Sequence, residues 1–381
     1  MATTTNNTAL ILPGGGARAA YQVGVIKALA ELTQDQPSNP FPILCGTSAG
    51  ALNAVVLAAG PSNFVDAGYR LEQLWLGLDH KHVYRSDWLG IAYNAWRLML
   101  SLVNSGVSVG RPVALLDNLP LKELLRKEID FSQISRNIQS EYLNAVCVTA
   151  MNYTENHSAS FFQGGPLHAE WRRWRRMGIP TPLELRHLLA SAAIPTIFPP
   201  QRIGRNYYGD GALRQLTPLS PAIHLGADKL LVVSAAGHRR TYAKTPRRPH
   251  SPALGQVIGH LINSAFIDSL ETDIEMLEQV NRITRMVPDK LRNADGGQMR
   301  HIDIHVISPS TDIDALAEEH AHELPKSLRV FLSRTGSAKE EGGVNIASYL
   351  LFTEPFCHTL IELGYSDAKA QTETLRAFLR Q

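Results

Sequence analysis

The chain is short of several things, and each shortage closes off a class of protein. Three cysteines in 381 residues, at 45, 147 and 357, are too few and too scattered for a disulfide framework. Cys45 and Cys147 sit in apolar runs, as small buried hydrophobes do, and a reducing compartment suits them. Net charge is nearly absent: 37 basic residues against 35 acidic ones leave +2, so no overall field draws the chain to nucleic acid. No uninterrupted run of about 18 apolar residues is present to span a bilayer. The opening MATTTNNTALILPGGG lacks the basic start, apolar stretch and small-residue cleavage site of a secretory signal. The expectation is a cytoplasmic protein or one in peripheral contact with a membrane, with signal-less export left open. No histidine, cysteine and carboxylate cluster has zinc spacing and no acidic loop suggests calcium, so neither a metal nor an organic cofactor is expected.

What is there is enough to build a large core: 44% of the residues are hydrophobic and only 19% charged, inside the globular range. Residues 8–12 read as a buried strand, followed by Gly14, Gly15 and Gly16 and a helix over 19–31. Residues 43–45 read as the next strand, followed by a helix over 49–59. Strand, glycine turn and helix, twice over, predict right-handed crossovers and a parallel sheet covered by helices. Further strands are expected at 142–149, 158–162, 229–234 and 301–307, giving a sheet of about five or six strands. Residues 62–139 read as a helical insertion into a core spanning 8–235. Residues 252–381 read as a mostly helical region packed on that core, with one strand near 301–307. Over 252–287, Ile258, Leu261, Ile262, Phe266, Leu270, Ile274 and Leu277 recur at helical spacing, the mark of a core-facing stripe. The basic, proline-bearing segment 238–250 reads as a surface loop.

Three short motifs carry chemistry. In LPGGGARAAYQVGV, glycines end a strand and open a helix, so unblocked N–H groups point outward at the positive end of the helix. Such a nest binds a phosphate or stabilises an oxyanion. A dinucleotide site would need an acidic residue at the end of the second strand, where the chain instead runs into Gly46-Thr47-Ser48-Ala49-Gly50. There a G-x-S-x-G pattern between strand and helix reads either as a nucleophile on a strained turn or as a tight crossing with Ser48 or Thr47 as a helix cap. A serine nucleophile needs a base. None of the fourteen histidines lies in a comparably marked turn, whereas Asp210 stands between Gly209 and Gly211 after the strand-like stretch 202–208. Gly-Asp-Gly is also a common hairpin turn.

In combination, GGGARA at 14–19, GTSAG at 46–50 and DGA at 210–212, with SAAIPTIFPP just before the last, resemble the patatin-like phospholipases over about residues 8–235. Ala19 stands where the family pattern has glycine. The resemblance implies a three-layer α/β/α fold with a mostly parallel central sheet, a helical insertion and a helical C-terminal region. It further implies a lipid acyl hydrolase acting on phospholipids or lysophospholipids, without cofactor. Ser48 would be the nucleophile and Asp210 the base, with Gly46 and Gly50 shaping the elbow and Gly211 and Ala212 the aspartate loop. Gly14, Gly15 and Gly16, braced by Arg18, would form the oxyanion hole. A lipid-surface binding protein with a vestigial site, and a dinucleotide enzyme using the Gly14–Gly16 turn, are the rival readings. Two other stretches bear on lipid contact. WRRWRR at 171–176 suits either an anionic lipid interface or a solvated helix face with stacked Arg–Trp pairs. WLGIAYNAWRLMLSLV at 88–103 suits a lid over acyl chains or, as the preferred expectation, an ordinary core helix.

Overall fold

The computed structural model describes residues 7–36, 38–103, 112–166, 168–235, 264, 268–288, 300–334 and 346–380. The first strand, β1 (Thr8–Leu12), is buried along its whole length, as a central parallel strand must be. It pairs in parallel with β2 (Ile43–Thr47) on one side and β9 (Lys229–Val233) on the other. β2 continues in parallel to β3 (Ala145–Asn152), and β9 to β10 (Asp303–Ile307). This parallel core is extended by antiparallel β4 (His157–Gly164) and by two hairpins, β5 (Trp171–Arg173) with β6 (Arg176–Pro180) and β7 (Gln201–Ile203) with β8 (Asn206–Asp210). The sheet therefore has ten strands rather than five or six. The additional strands are short and polar and lie where apolar alternation is weakest.

Alternation along the strands makes the layers. Leu10, Leu12, Leu44, Val146 and Val148 face α1 (Ala20–Leu32), α2 (Ala49–Ala58) and α3 (Phe64–Leu76). Ala9, Ile11, Ile43, Cys45 and Cys147 face the opposite way, against Leu219, Leu225 and the helix Ser269–Met286. Leu270, Ile274 and Leu277 of that helix are buried in this second core, as their spacing predicts; the rest of the stripe, and the segment 238–250, lie outside the described residues. Cys45 and Cys147 are opposed across β2 and β3, and their mutual contact and burial push the Cys45 thiol well up, so it stays protonated and inert.

Two expectations fail. WRRWRR is the β5–β6 hairpin and not a helix: Arg175 takes a positive φ of 56° in its turn. Trp171 is stacked between Phe162 and His224, leaving only Trp174 outside with the Arg175 guanidinium over its ring. Strand alternation, which sends Trp171 inward while its arginines stay wet, overrides the helical reading. The second failure is the helix Trp88–Val103, which is helical but is not a core helix: Trp88 is 55%, Leu89 85% and Met99 70% exposed. Among the described residues no helix is long and apolar enough to cross a membrane.

Candidate active site

The sheet register brings the two halves of the site together. β4 occupies one edge of β3 along all eight of its residues, from Ala145 to Asn152. The other edge is shared: β2 covers Ala145 to Thr149, where Thr47 is the partner of Thr149, and β8 takes over at Ala150, which is paired with Asp210. The chain leaves β2 at Ser48 just where β8 delivers Asp210. Two residues 162 positions apart are thus placed end to end by consecutive pairings on one strand.

At the β2–α2 junction Ser48 adopts φ 54° and ψ −128°, a region that a non-glycine residue enters only when its surroundings hold it there. Its N–H donates to Ser191 Oγ at 2.8 Å, and Ser191 in turn donates to the Thr149 carbonyl at 2.6 Å. Close backbone contact dictates the flanking glycines. A Cβ on Gly46 would lie 2.4 Å from the Gly50 carbonyl oxygen, and one on Gly50 2.0 Å from that of Leu12. The serine side chain makes no capping bond to α2, and the Thr47 hydroxyl is committed to Gln215 Oε1 at 2.5 Å, so neither residue serves as the helix cap. Ser191 and Gln215 escaped the sequence reading; only the position of Ser191 at the head of the SAAIPTIFPP run hinted at a role.

Asp210 ends β8, fully buried, and is not a hairpin turn; that turn falls at Gly204. Its N–H donates to the Ala193 carbonyl at 3.0 Å and its Oδ1 accepts from Ala212 N–H at 3.0 Å, so the SAAIPTIFPP segment and the DGA turn both hold it. Gly211 is required because a Cβ there would lie 2.2 Å from the Thr149 carbonyl oxygen. Burial pushes the carboxyl up to about 7, against the opposing pulls of the Ser48 hydroxyl and the Ala212 N–H. Asp210 Oδ2 has no hydrogen-bond donor within bonding geometry; the Ser48 hydroxyl is nonetheless near enough to draw the carboxyl's pKa down. Among the described residues no histidine is hydrogen-bonded to either side chain. His187, one turn before Ser191, is held near pKa 4 mainly by burial, and its Nδ1 accepts from the Glu184 N–H.

The glycine turn lies on the other side of the serine. Gly14, Gly15 and Gly16 are buried. Gly16 has φ +55°, and a Cβ on it would lie 2.3 Å from the Tyr349 carbonyl oxygen. Ala19, in contrast, has φ −67°, so alanine fits where the family pattern has glycine. Buried Gln22 donates to the carbonyls of Pro13 and Val233, and Asn53 links Gln22 to the Trp75 indole. Arg18, almost wholly buried, donates from Nε to Ser348 Oγ at 2.9 Å and from Nη2 to Asp314 Oδ1 at 2.5 Å, with its guanidinium 4.2 Å from the Tyr349 ring centre.

Ser48 and Gly16 open onto an apolar pocket walled by Leu52, Trp75, Leu188, Ile194, Phe198 and Phe352, among other residues, in which Ser48 supplies the one hydroxyl. A larger, more polar groove lined by Arg70, Gln73, His82 and Glu128 shares Leu74 and Leu124 with it but does not include Ser48, and Asp210 lines neither.

A parallel α/β sheet with this order of glycine turn, serine elbow and buried aspartate is the architecture of the patatin-like phospholipases, and the chain belongs to that family: the family model, described as Patatin-like phospholipase, matches residues 10–223. Among solved structures, VipD from Legionella pneumophila aligns over 97% of this chain and 67% of its own, at 13% identity and TM-score 0.36. Human GIVD cytosolic phospholipase A2 aligns over 98% of this chain, at 11% identity and TM-score 0.46; the chain spans 60% of its length. The same human enzyme in complex with methyl gamma-linolenyl fluorophosphonate aligns at 12% identity and TM-score 0.41, over 98% of this chain and 59% of its own. A search of curated proteins returns no match.

Proposed function

We propose that the protein is a lipid acyl hydrolase cleaving fatty-acyl esters of phospholipids or lysophospholipids through an acyl-enzyme on Ser48. The observation that carries this reading is the buried Asp210 carboxyl, with its pKa raised to about 7, beside a serine held in a strained turn. An aspartate at its ordinary pKa of about 3.9 is too weak a base at neutral pH; near 7 it is matched to the task. Asp210 takes the Ser48 proton as Oγ attacks the ester carbonyl, and returns it to the departing alcohol. The oxyanion is held by N–H groups of the glycine turn at Gly15 and Gly16, assisted by the positive end of α2 beside Ser48. Water then attacks the acyl carbonyl and gives a proton to Asp210, which passes it to Ser48 Oγ as the acyl–serine bond breaks and the fatty acid leaves. Leu52, Trp75, Leu188 and Phe352 offer the acyl chain a dry wall, and the lack of polar groups there suits a fatty chain better than a head group.

The test is hydrolysis of a short-chain p-nitrophenyl ester and of phosphatidylcholine by the purified protein. Ser48→Ala and Asp210→Asn are each expected to lower kcat by at least about 10³-fold with the circular dichroism spectrum unchanged. A lipid-surface binder would leave both substrates intact. An Asp210→Asn variant that keeps most of its activity would remove the aspartate from the mechanism.

A further inference from the structure

The helix Trp88–Val103 has its polarity reversed. Over residues 88–100 the exposed positions are Trp88, Leu89, Tyr93, Trp96, Met99 and Leu100, with the small Ala92 among them, and every one is apolar or aromatic. The positions 89, 93, 96 and 100, and 88, 92, 96 and 99, each follow helical spacing and fall on one continuous side. The polar residue is the one that turns inward: Asn94 Nδ2 donates to the Leu115 carbonyl at 3.2 Å, beside buried Ile91. Arg97 is the only charged side chain in the helix, and its guanidinium lies 5.7 Å from the Tyr93 ring centre. A surface helix of a water-soluble domain shows the opposite pattern, and an apolar face this continuous marks a contact surface.

Described residues on either side of the helix in sequence also touch the wall of the acyl pocket. Upstream, Val83 lines the pocket and Tyr84 packs on Phe198, another lining residue. Downstream, Leu115 and Leu116 donate their N–H groups to the carbonyls of Thr196 and Ile197, between the lining residues Ile194 and Phe198.

We infer that the face formed by Trp88, Leu89, Tyr93, Trp96, Met99 and Leu100 is the surface by which the protein docks on a lipid bilayer, setting the acyl pocket against the membrane. Two tryptophans and a tyrosine beside leucine and methionine are the side chains that settle at the boundary of head groups and acyl chains. With one arginine and no acidic residue in the helix, insertion and not charge drives the contact. The inference rests on the hydrolase reading for its choice of a membrane lipid as partner, but its test does not need catalysis.

The test is cosedimentation of the full chain with phosphatidylcholine vesicles, using wild type, Trp96→Ala with Met99→Ala, and Leu89→Glu. All three altered positions are well exposed, so the variants should fold. Wild type is expected to bind with a blue shift of tryptophan emission, little affected by raising salt to about 0.5 M. Each variant is expected to lose at least about tenfold in partitioning and in hydrolysis of vesicle lipid, while hydrolysis of a soluble short-chain ester stays the same. Ser48→Ala should bind vesicles like wild type. Vesicle binding that the variants leave unchanged would overturn the inference, as would variants that only dissociate a self-associated form, which would make a second copy of the chain the occupant. Helix-dependent binding by a wild-type protein that hydrolyses no ester would leave the docking face standing and remove the hydrolase reading.

Discussion

A carboxyl group buried this completely is an unfavourable place for charge, which is what suits Asp210 to the proposed role of a base at neutral pH. The folded pKa of Asp210, about 7, lies above the unfolded value of about 3.9. The folded state therefore holds this proton more tightly than the unfolded one. The associated stability is fully present below about pH 4 and is lost as pH rises through 7, amounting to about 4 kcal/mol at full ionisation. Asp210→Asn removes the charge, so its melting temperature should exceed that of wild type at pH 8, with the gain shrinking toward nil near pH 4. As the proposed base, Asp210 should also set the pH dependence of the rate: kcat/KM for a soluble ester should fall about tenfold per pH unit below 7, with an acid limb near that value. A profile flat from pH 5 to 8, or a melting difference independent of pH, would show that Asp210 does not titrate as its burial requires. Both candidate residues stand out in the sequence, because glycines on either side of a lone serine and a lone aspartate are costly unless the backbone needs them. The supports were not: Ser191 carries no local signature, and its bond to the Ser48 N–H is made across 143 residues.

At the scale of the element, the Ser48 turn and the apolar pocket share α2. Leu52 is one turn beyond Ser48 on that helix and lines the pocket. Leu52→Trp should fill the space next to the nucleophile, so that hydrolysis of long-chain p-nitrophenyl esters falls at least about tenfold while the butyrate ester, which needs little of the pocket, is turned over nearly as before. Equal losses on both esters would place the acyl chain elsewhere. The elements themselves were read unevenly. Buried parallel strands announce themselves: the prediction for residues 8–12 coincides with β1, and those for 43–45 and 229–234 differ from β2 and β9 only at their C-terminal ends. Three-residue strands such as β5 and β7 hold too few side chains for a period to show. The helix Trp88–Val103 was legible as a helix from its spacing, but an apolar stripe alone does not say whether protein or something else covers it.

For the molecule as a whole, the family match ends at residue 223, yet the glycine turn at Gly14–Gly16 is braced by residues well beyond it. The Arg18 guanidinium reaches Asp314 and Ser348, and the Gly16 turn is packed against the Tyr349 carbonyl. The same region adds β10 to the sheet and, through the helix Glu354–Ala370, accepts the Tyr21 hydroxyl on Asp367. The C-terminal part is thereby a wall of the site and not an appendage. Asp314→Ala leaves the buried Arg18 with half of its partners, so kcat should fall about ten- to a hundredfold with KM little changed, and stability by about 1–3 kcal/mol because Asp314 is partly exposed. Asp314→Glu should recover part of the rate. A kcat that stays at the wild-type level would detach the C-terminal region from the oxyanion turn. None of this coupling could be read along the chain, since the partners of Arg18 lie about 300 residues away and carry no motif.

In the proposed reaction Ser48 Oγ is the atom acylated and Asp210 takes its proton. Intact-protein mass spectrometry after treatment with an alkyl fluorophosphonate measures this directly. Wild type should gain one adduct, mapped to Ser48, at a rate that rises as pH passes 7; Ser48→Ala should gain none, and Asp210→Asn should react at least about a hundredfold more slowly. An adduct on another residue, or undiminished labelling of Ser48→Ala, would contradict it.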